Sequence, residues 1–156
     1  MVVATEELPD AAALAAWVTQ CGPVESSAPE PLVDAARSLR EDVHGLLQAV
    51  HHGQPVADTI RRRLNAAAAQ PVPVPRLDPA GTLSWRATQP VAATLALIAR
   101  DALELAGSDA VHRLRTCAGP ACGALFLDTS RPGTRRWCSM ETCGNQAKKQ
   151  TFRSRH

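Results

Sequence analysis

Four of the five cysteines lie near the C-terminus and form two pairs of equal spacing. Cys117 and Cys122 make one C-x4-C pair, Cys138 and Cys143 make the other, and fifteen residues separate the pairs. Thiolates on two short knuckles, joined by enough chain to fold back, are a ligand set for tetrahedral zinc. Four protein ligands leave no open position for a substrate. The pattern therefore predicts one structural Zn²⁺ rather than a catalytic one.

Two disulfides are the alternative interpretation of the same cysteines. The stretch from Met1 to Pro9 carries two glutamates and no apolar core long enough for a secretory signal. No run approaches the roughly 18 apolar residues of a membrane span. We therefore expect a cytoplasmic protein without membrane contact, and a reducing cytoplasm favours zinc over disulfides.

The residues around the cysteines predict how the ligands are positioned. Residues 124–127 and 135–137 flank a polar Pro-Gly turn, which is typical of a β-hairpin. Gly123 and Gly144 each follow the second cysteine of a pair, where a left-handed residue would tighten the knuckle. Residues 145–153 contain neither Gly nor Pro, so we expect a helix after the last ligand. Knuckle, hairpin and helix together form a treble-clef-like arrangement.

The stretch from Arg113 to Lys149 resembles the CGNR zinc finger, which ends bacterial proteins whose N-terminal part is the alanine-rich ABATE domain. Besides the cysteines, the matching positions are Phe126, Asp128, Ser130, Arg136, Trp137, Ser139, Met140, Gly144, Asn145 and Lys148. Gln146 replaces the arginine of the family's name. The resemblance implies a transcription regulator. The family's N-terminal hydrophobic strand has no counterpart here, which indicates a trimmed or divergent start.

The distribution of charge divides the chain into two parts. Residues 1–106 hold 8 Lys/Arg and 12 Asp/Glu, a net charge of −4, whereas residues 107–156 hold 9 and 3, a net charge of +6. Because Zn²⁺ with four thiolates carries a charge of about −2, the metal-loaded module is nearer +4. Blocks of opposite sign suggest parts with different partners. We predict a helical ABATE-like domain over residues 1–107 and a zinc finger over residues 108–156.

The N-terminal part is predicted to be helical. The whole chain contains 28 alanines and only 3% aromatic residues, so a helical core must consist of Leu, Val and Ala packed between helices. Apolar periodicity predicts four helices, over residues 11–20, 31–52, 56–69 and 90–106. Asp10 is the predicted cap of the first helix, and Gly53 the predicted end of the second.

Alternating prolines from Pro71 to Pro75 and the turn at residues 78–81 predict an edge hairpin between the third and fourth helices. Its second strand, residues 82–85, alternates like a half-buried strand. The predicted fold class is thus mainly α with a small β-hairpin (α+β), a helical N-terminal domain followed by a treble-clef-like four-cysteine zinc module.

The last helix and the loop before it form the predicted nucleic-acid surface. Helical geometry places Asn145, Lys148 and Phe152 on one side, with Phe152 packing against Trp137 and Leu125. The other side carries side chains that suit base edges, since Gln pairs with adenine and Lys or Arg with guanine. The predicted base contacts are Gln146, Lys149, Gln150 and Arg153, and the predicted phosphate contacts are Arg131, Arg135, Arg136, Lys148 and Arg155.

These features predict a zinc-dependent, DNA-binding transcription regulator whose helical domain senses a small-molecule effector or forms a homodimer. Two alternatives remain: a protein-interaction finger that docks on polymerase or another regulator, and a small-molecule-binding helical domain with a purely structural zinc cap. No nucleophile elbow, phosphate loop or HExxH motif is present, so we expect no enzyme. Asp128 and Ser130 are expected to bond the local backbone rather than to serve in a triad.

Overall fold

The computed structural model describes residues 8–24 and 32–153, with side chains up to residue 150. Within these residues the helices are α1 (Ala11–Cys21), α2 (Val33–His51), α3 (Asp58–Ala68), α4 (Pro90–Ala106) and α5 (Asn145–Arg153). A 3₁₀ helix (Asp109–Arg113) and a π-helical turn (Met140–Gly144) complete the helical part. The strands are β1 (Val74–Leu77), β2 (Leu83–Arg86), β3 (Leu114–Thr116) and β4 (Leu125–Leu127). None of the helices in this part of the chain is long and apolar enough to span a membrane.

Helix α4 forms the centre of the N-terminal domain, because it packs against α1, α2 and α3. Its inner face is rich in small residues, including buried Ala96, Ala99 and Ala102, which let the neighbouring helices approach closely. The core also contains Leu14 and Leu64, both 0% exposed. The core of Leu, Val and Ala that the composition predicted is therefore confirmed.

Local sequence signals set the helix ends as predicted, within one or two residues. The Asp10 carboxylate accepts a hydrogen bond from the backbone N–H of Ala13 at 2.8 Å and caps α1. Gly53 follows the last turn of α2 with a φ of 63°, a conformation that favours glycine. Pro90 opens α4 in the first turn, where its missing N–H is not needed.

Polar contacts fix α3 against the rest of the domain. The carboxylate of Asp42, on α2, is buried and accepts two hydrogen bonds from the Arg63 guanidinium, one of them 2.7 Å long. Arg61 and Arg62 instead pair with exposed Asp58 on their own helix. At the other end of α3, the Arg100 guanidinium donates to the carbonyl oxygens of Ala68 and Gln70, at 2.8 and 3.0 Å.

The edge hairpin is confirmed: β1 and β2 pair antiparallel, joined by a turn that Asp78 organises. One carboxylate oxygen of Asp78 accepts hydrogen bonds from the N–H groups of Ala80 (2.9 Å) and Thr82 (2.8 Å), and Gly81 has a φ of 82°. The half-buried placement predicted for the second strand is wrong. Leu83 is 59% and Trp85 40% exposed, because the open cleft that they line with Pro23, Val24 and Pro90 covers them only in part.

The hairpin predicted inside the zinc module is wrong in its pairing. β4 lies antiparallel to β3, with Leu114 opposite Leu127, and residues 135–137 form no strand. The returning segment turns instead toward the first knuckle, where the Arg136 carbonyl accepts a hydrogen bond from the Ala118 N–H at 2.8 Å. Meanwhile the Arg135 N–H donates to the Asp128 carboxylate at 2.9 Å, so its backbone is not available to β4.

The 3₁₀ helix joins the two parts of the chain. It packs against α2 and α4 of the helical domain and against β4 of the zinc module. The imidazole Nε2 of His51, in the last turn of α2, lies 3.5 Å from the Thr116 hydroxyl, at the end of β3. Leu114 is 2% exposed at the start of β3. The strand that precedes the first cysteine is therefore anchored to the helical domain.

Candidate metal centre and nucleic-acid surface

Each pair of cysteines lies on a short turn next to a regular element. Cys117 directly follows β3, and the chain then turns to Cys122 and to Gly123, which has the predicted positive φ, 63°. Cys138 ends the returning segment, and Cys143 lies within the π-helical turn that leads into α5. The folding of β3, β4 and this turn brings together four residues that are up to 26 positions apart in sequence.

The four sulfur atoms have the geometry of a single metal site. All Sγ atoms lie within 4.8 Å of one another. The Cys138 Sγ is 3.8 Å from that of Cys122 and 3.7 Å from that of Cys143. Tetrahedral zinc with Zn–S bonds of about 2.3 Å requires edges of about 3.8 Å, so the donor set fits one structural Zn²⁺. Disulfides need S–S distances of about 2.05 Å, and all five cysteines are free thiols.

The electrostatics of the four-cysteine cluster favour a bound cation. Burial disfavours the Cys117 thiolate, but the N–H groups of Cys138 and Gly119 donate to its Sγ at 3.3 and 3.4 Å and lower its pKa to about 7. Burial and the neighbouring thiols raise the pKa of Cys138 to about 12. Four thiolates this close cannot all ionise without a compensating charge. Bound zinc supplies that charge and joins the two knuckles.

Gly119 is a site residue that the sequence prediction missed. A Cβ atom at this position would lie 3.1 Å from the Cys143 Cβ and 3.2 Å from its Sγ. A side chain here would push the two knuckles apart, so the close approach requires glycine. The sequence signal that could have identified Gly119 is a glycine placed between the two metal ligands of one knuckle.

The predicted left-handed conformation of Gly144 is wrong. Gly144 lies inside the π-helical turn, where its N–H donates to the Ser139 carbonyl at 3.0 Å, and its φ is not positive. A Cβ atom here would lie 2.8 Å from the sulfur of Met140, a flexible side chain that is 48% exposed and would have to move aside.

Asp128 organises the loop between the knuckles. Its side chain is 0% exposed. One carboxylate oxygen accepts hydrogen bonds from the Ser130 N–H (2.9 Å) and hydroxyl (2.5 Å), the other from the Arg135 N–H (2.9 Å). These bonds, with that of the Ser130 hydroxyl the strongest, lower the pKa of Asp128 to about 2. The prediction that this pair bonds locally is confirmed.

We expect Asp128→Asn to lower the zinc affinity about 10- to 100-fold, since an amide cannot accept from all three donors that fix the loop. Competition with a chromophoric chelator measures this, and Asp109→Asn, at an exposed position, is the control. The depressed pKa means that the contribution of Asp128 is complete above its unfolded-state pKa of about 4 and is lost as the pH falls through about 2. Zinc release near pH 5 would therefore report protonation of the cysteine thiols. In that range the zinc affinity of the Asp128→Asn variant should fall with pH as steeply as that of the wild type.

Arg135 supports the second knuckle. Its guanidinium donates to the Cys138 carbonyl at 2.8 Å and lies 5.3 Å from the centre of the Phe126 ring. Arg113, which the sequence prediction did not include, donates from its guanidinium to the Ser130 carbonyl. Both arginines thus brace the loop, whereas the Arg136 guanidinium lies over the half-buried Trp137 ring, 5.3 Å from its centre, and remains exposed.

The described side chains of the predicted nucleic-acid surface are exposed: Arg131, Arg135, Arg136, Gln146, Lys148, Lys149 and Gln150. Asn145 is exposed as well, and Ala147 is the least exposed side chain among residues 145–150. The inner face of α5 therefore contains Ala147 rather than Asn145 and Lys148. The side chains of Phe152 and Arg153, and Arg155, lie outside the part that the structure describes, so the packing predicted for Phe152 stays a prediction.

Comparison with known families agrees with this geometry. A model described as "CGNR zinc finger" matches residues 113–156, and the ABATE model, described as "Putative stress-induced transcription regulator", matches residues 2–109. No curated protein matches the chain. The two matches reproduce the arrangement that the sequence predicted, and the second covers more than half of the chain. The chain therefore belongs to the ABATE family and ends in a CGNR zinc finger.

Proposed function

We propose that this chain is a non-catalytic, DNA-binding transcription regulator of the bacterial cytoplasm, with the zinc module as its DNA-contacting part. The family description, a transcription regulator, supports the general role. The observation that carries DNA contact is a set of exposed cations and amides on α5, which begins two residues after Cys143 and is thus fixed by the zinc site.

The geometry of α5 supports contact with one groove. Nine residues span roughly 13 Å, enough to enter one major groove. Gln146, Lys149 and Gln150 are exposed along it and suit base edges. Lys148 on the same helix, and Arg131 and Arg136 in the loop that precedes Cys138, are also exposed and suit phosphates. Arg135 contributes mainly by bracing the second knuckle.

The test is binding of the zinc-loaded full chain to genomic DNA fragments at several salt concentrations. Four to six phosphate contacts predict that log affinity falls against log salt concentration with a slope of about −4 to −5. A flat response, or no binding at about 50 mM salt, contradicts the proposal. If the chain instead retains RNA polymerase or another regulator in the absence of DNA, the finger serves protein contact.

We expect the Arg131→Gln/Lys148→Gln variant to reduce the magnitude of this slope by about 2, because each phosphate contact contributes about 0.9. Fluorescence anisotropy with one labelled fragment measures the change. Arg61→Gln/Arg62→Gln removes the same number of exposed charges from α3 and should leave the slope unchanged. If the slope falls equally in both variants, the chain is attracted to DNA by its net charge alone.

A second candidate function, small-molecule sensing, is favoured by an apolar cleft in the helical domain. The cleft has a volume of about 350 Å³ and lies between α1, α2 and α4, with half-buried Trp17 on its wall and Arg40 among its lining residues. An apolar ligand suits this cleft, and an acidic group on it would compete with Glu41, which pairs with Arg40 at 3.3 Å. Ligand-induced change in tryptophan fluorescence and a raised melting temperature of the zinc-loaded chain would support this role, and a screen of aromatic acids without either effect would oppose it.

A further inference from the structure

An open cleft lies in the zinc module, between the loop that joins the two knuckles and the π-helical turn. It has a volume of about 300 Å³, at the lower end of the range for small-molecule sites. Its apolar walls are Pro132, the half-buried indole of Trp137 and Met140, which is 48% exposed. A space of this size beside an aromatic ring and a flexible thioether suits one planar ring system.

The metal site holds the apolar walls of this cleft in place. Trp137 directly precedes Cys138, and Met140 lies two residues after it. The Met140 sulfur also lies over Gly144, the residue before α5, where a Cβ atom would be 2.8 Å from it. The cleft therefore adjoins the start of the helix that is proposed to contact DNA.

The rim of the cleft is positively charged. The Arg136 guanidinium lies over the Trp137 ring, and neither this guanidinium nor that of exposed Arg131 forms an ion pair within the described part of the chain. Arg135 also lines the cleft, although it mainly braces the second knuckle. None of the described lining residues is acidic, and the Asp128 carboxylate is 0% exposed and bonded within its own loop. A ligand that combines a planar ring with negative charge suits this surface.

We propose that the cleft binds one unstacked nucleobase of single-stranded DNA, with the flanking phosphates on Arg131 and Arg136. The choice of DNA rests on the proposed function, whereas the base contact does not depend on duplex binding by α5. Bases stack on aromatic rings and on guanidinium planes whatever their sequence, because every base has a π face. The exposed Thr134 hydroxyl lines the same cleft and can both donate and accept, so it suits the edge of any base.

Charge favours a nucleic-acid strand over a peptide as the occupant. An aromatic or proline-rich peptide would fill the apolar walls but would bring no phosphates to the two guanidiniums at the rim. A nucleotide strand carries a phosphate on each side of every base, so one base in the cleft brings two anions to the rim. The base has to be unpaired, because the faces of paired bases are covered by their neighbours in a duplex.

The test compares labelled oligothymidine of about ten nucleotides with an abasic strand of equal length and charge, each added to the zinc-loaded full chain. We expect the abasic strand to bind about tenfold more weakly, because it keeps the phosphates but has no base to stack. In the Trp17→Phe/Trp85→Phe variant Trp137 is the one remaining tryptophan. Oligothymidine should quench its emission, and the abasic strand should not.

Variants of Trp137 test the stacking contact directly. Trp137→Leu should weaken oligothymidine binding about tenfold, whereas Trp137→Phe keeps an aromatic face and should recover most of that loss. Trp85→Leu is the matched control, since this tryptophan is 40% exposed in the helical domain, and it should bind like the wild type. Zinc content verifies that the module of each variant is folded, and the quenching experiment requires no change in the cleft.

Equal affinity for the two strands, oligothymidine binding without quenching of Trp137, or equal weakening by the two leucine variants would overturn the proposal. Tighter binding of oligouridine than of oligothymidine would assign the cleft to RNA and overturn it as well. Duplex binding with the expected salt slope but without base-dependent binding of single strands removes this inference and leaves the proposed function. Base-dependent binding of single strands without duplex binding does the opposite.

Discussion

The Cys143→Ser variant is expected to lose its zinc ion and, with it, the folded structure of the chain beyond Arg113. Structural zinc binds with an apparent free energy on the order of 10–16 kcal/mol at pH 7. The module has little else to hold it, because β3 and β4 have three residues each and the buried side chains between them are few. In the described part of the module these are Leu114, Cys117, Asp128 and Cys143.

Zinc content by atomic absorption and backbone amide exchange measure the result. Amides of β3, β4 and the π-helical turn should exchange as in an unfolded chain, whereas those of α2 and α4 keep their protection. Cys21→Ser is the control, because this exposed thiol lies on α1 outside the cluster, and it should retain one zinc per chain. A serine variant with stoichiometric zinc and a protected module would refute the four-thiolate site.

The Leu64→Ala variant is expected to destabilise the helical domain by about 2–5 kcal/mol. Leu64 is 0% exposed and is the one residue of α3 that is fully buried. Its removal leaves a cavity where α3 meets α2 and α4, and the neighbours cannot close it easily. Ile60 is already fixed against α2, where a Cβ at Gly45 would lie 2.7 Å from its terminal methyl.

A loss of this size is a large part of the roughly 5–15 kcal/mol that stabilises a domain. For a domain of about 100 residues the melting temperature should fall by about 8 °C or more. Urea unfolding followed by circular dichroism gives the free energy directly. Leu77→Ala makes the same chemical change at a side chain that is 71% exposed, so at low protein concentration it should stay within about 0.5 kcal/mol of the wild type. Similar losses in the two variants would mean that α3 does not depend on Leu64.

Local signals in the sequence predicted much of this molecule. Helix boundaries followed from periodicity, from the Asp10 cap and from Gly53, because these effects act within a few residues. The metal site followed from cysteine spacing, because tetrahedral geometry restricts which spacings can converge on one ion. The β1–β2 hairpin followed from its prolines and the Asp78 turn, because these effects also act within a few residues.

The errors concern contacts between distant residues. The partner of β4 is a strand of three residues before Cys117, too short for a period-two pattern to reveal. Whether the side chains of the β1–β2 hairpin are buried depends on which other parts of the molecule pack against the sheet. The sequence of the strands does not contain that information. The role of Gly119 depends on the neighbouring cysteine side chains rather than on its own backbone angle, and spacing alone assigned Gly144 a conformation that it does not adopt.

The pairing of β3 with β4 has a consequence for how the protein can be dissected and how it could transmit a signal. β3 runs from the 3₁₀ helix at the ends of α2 and α4 directly into Cys117, and Thr116 contacts His51. A fragment that starts at Cys117 would lack the strand that orders β4, so an autonomous finger has to begin at or before Arg113, which bonds the loop at Asp128 and Ser130. In the intact chain, the three residues of β3 connect the 3₁₀ helix directly to Cys117, without a flexible linker. A movement at the ends of α2 and α4 would therefore displace the first metal ligand.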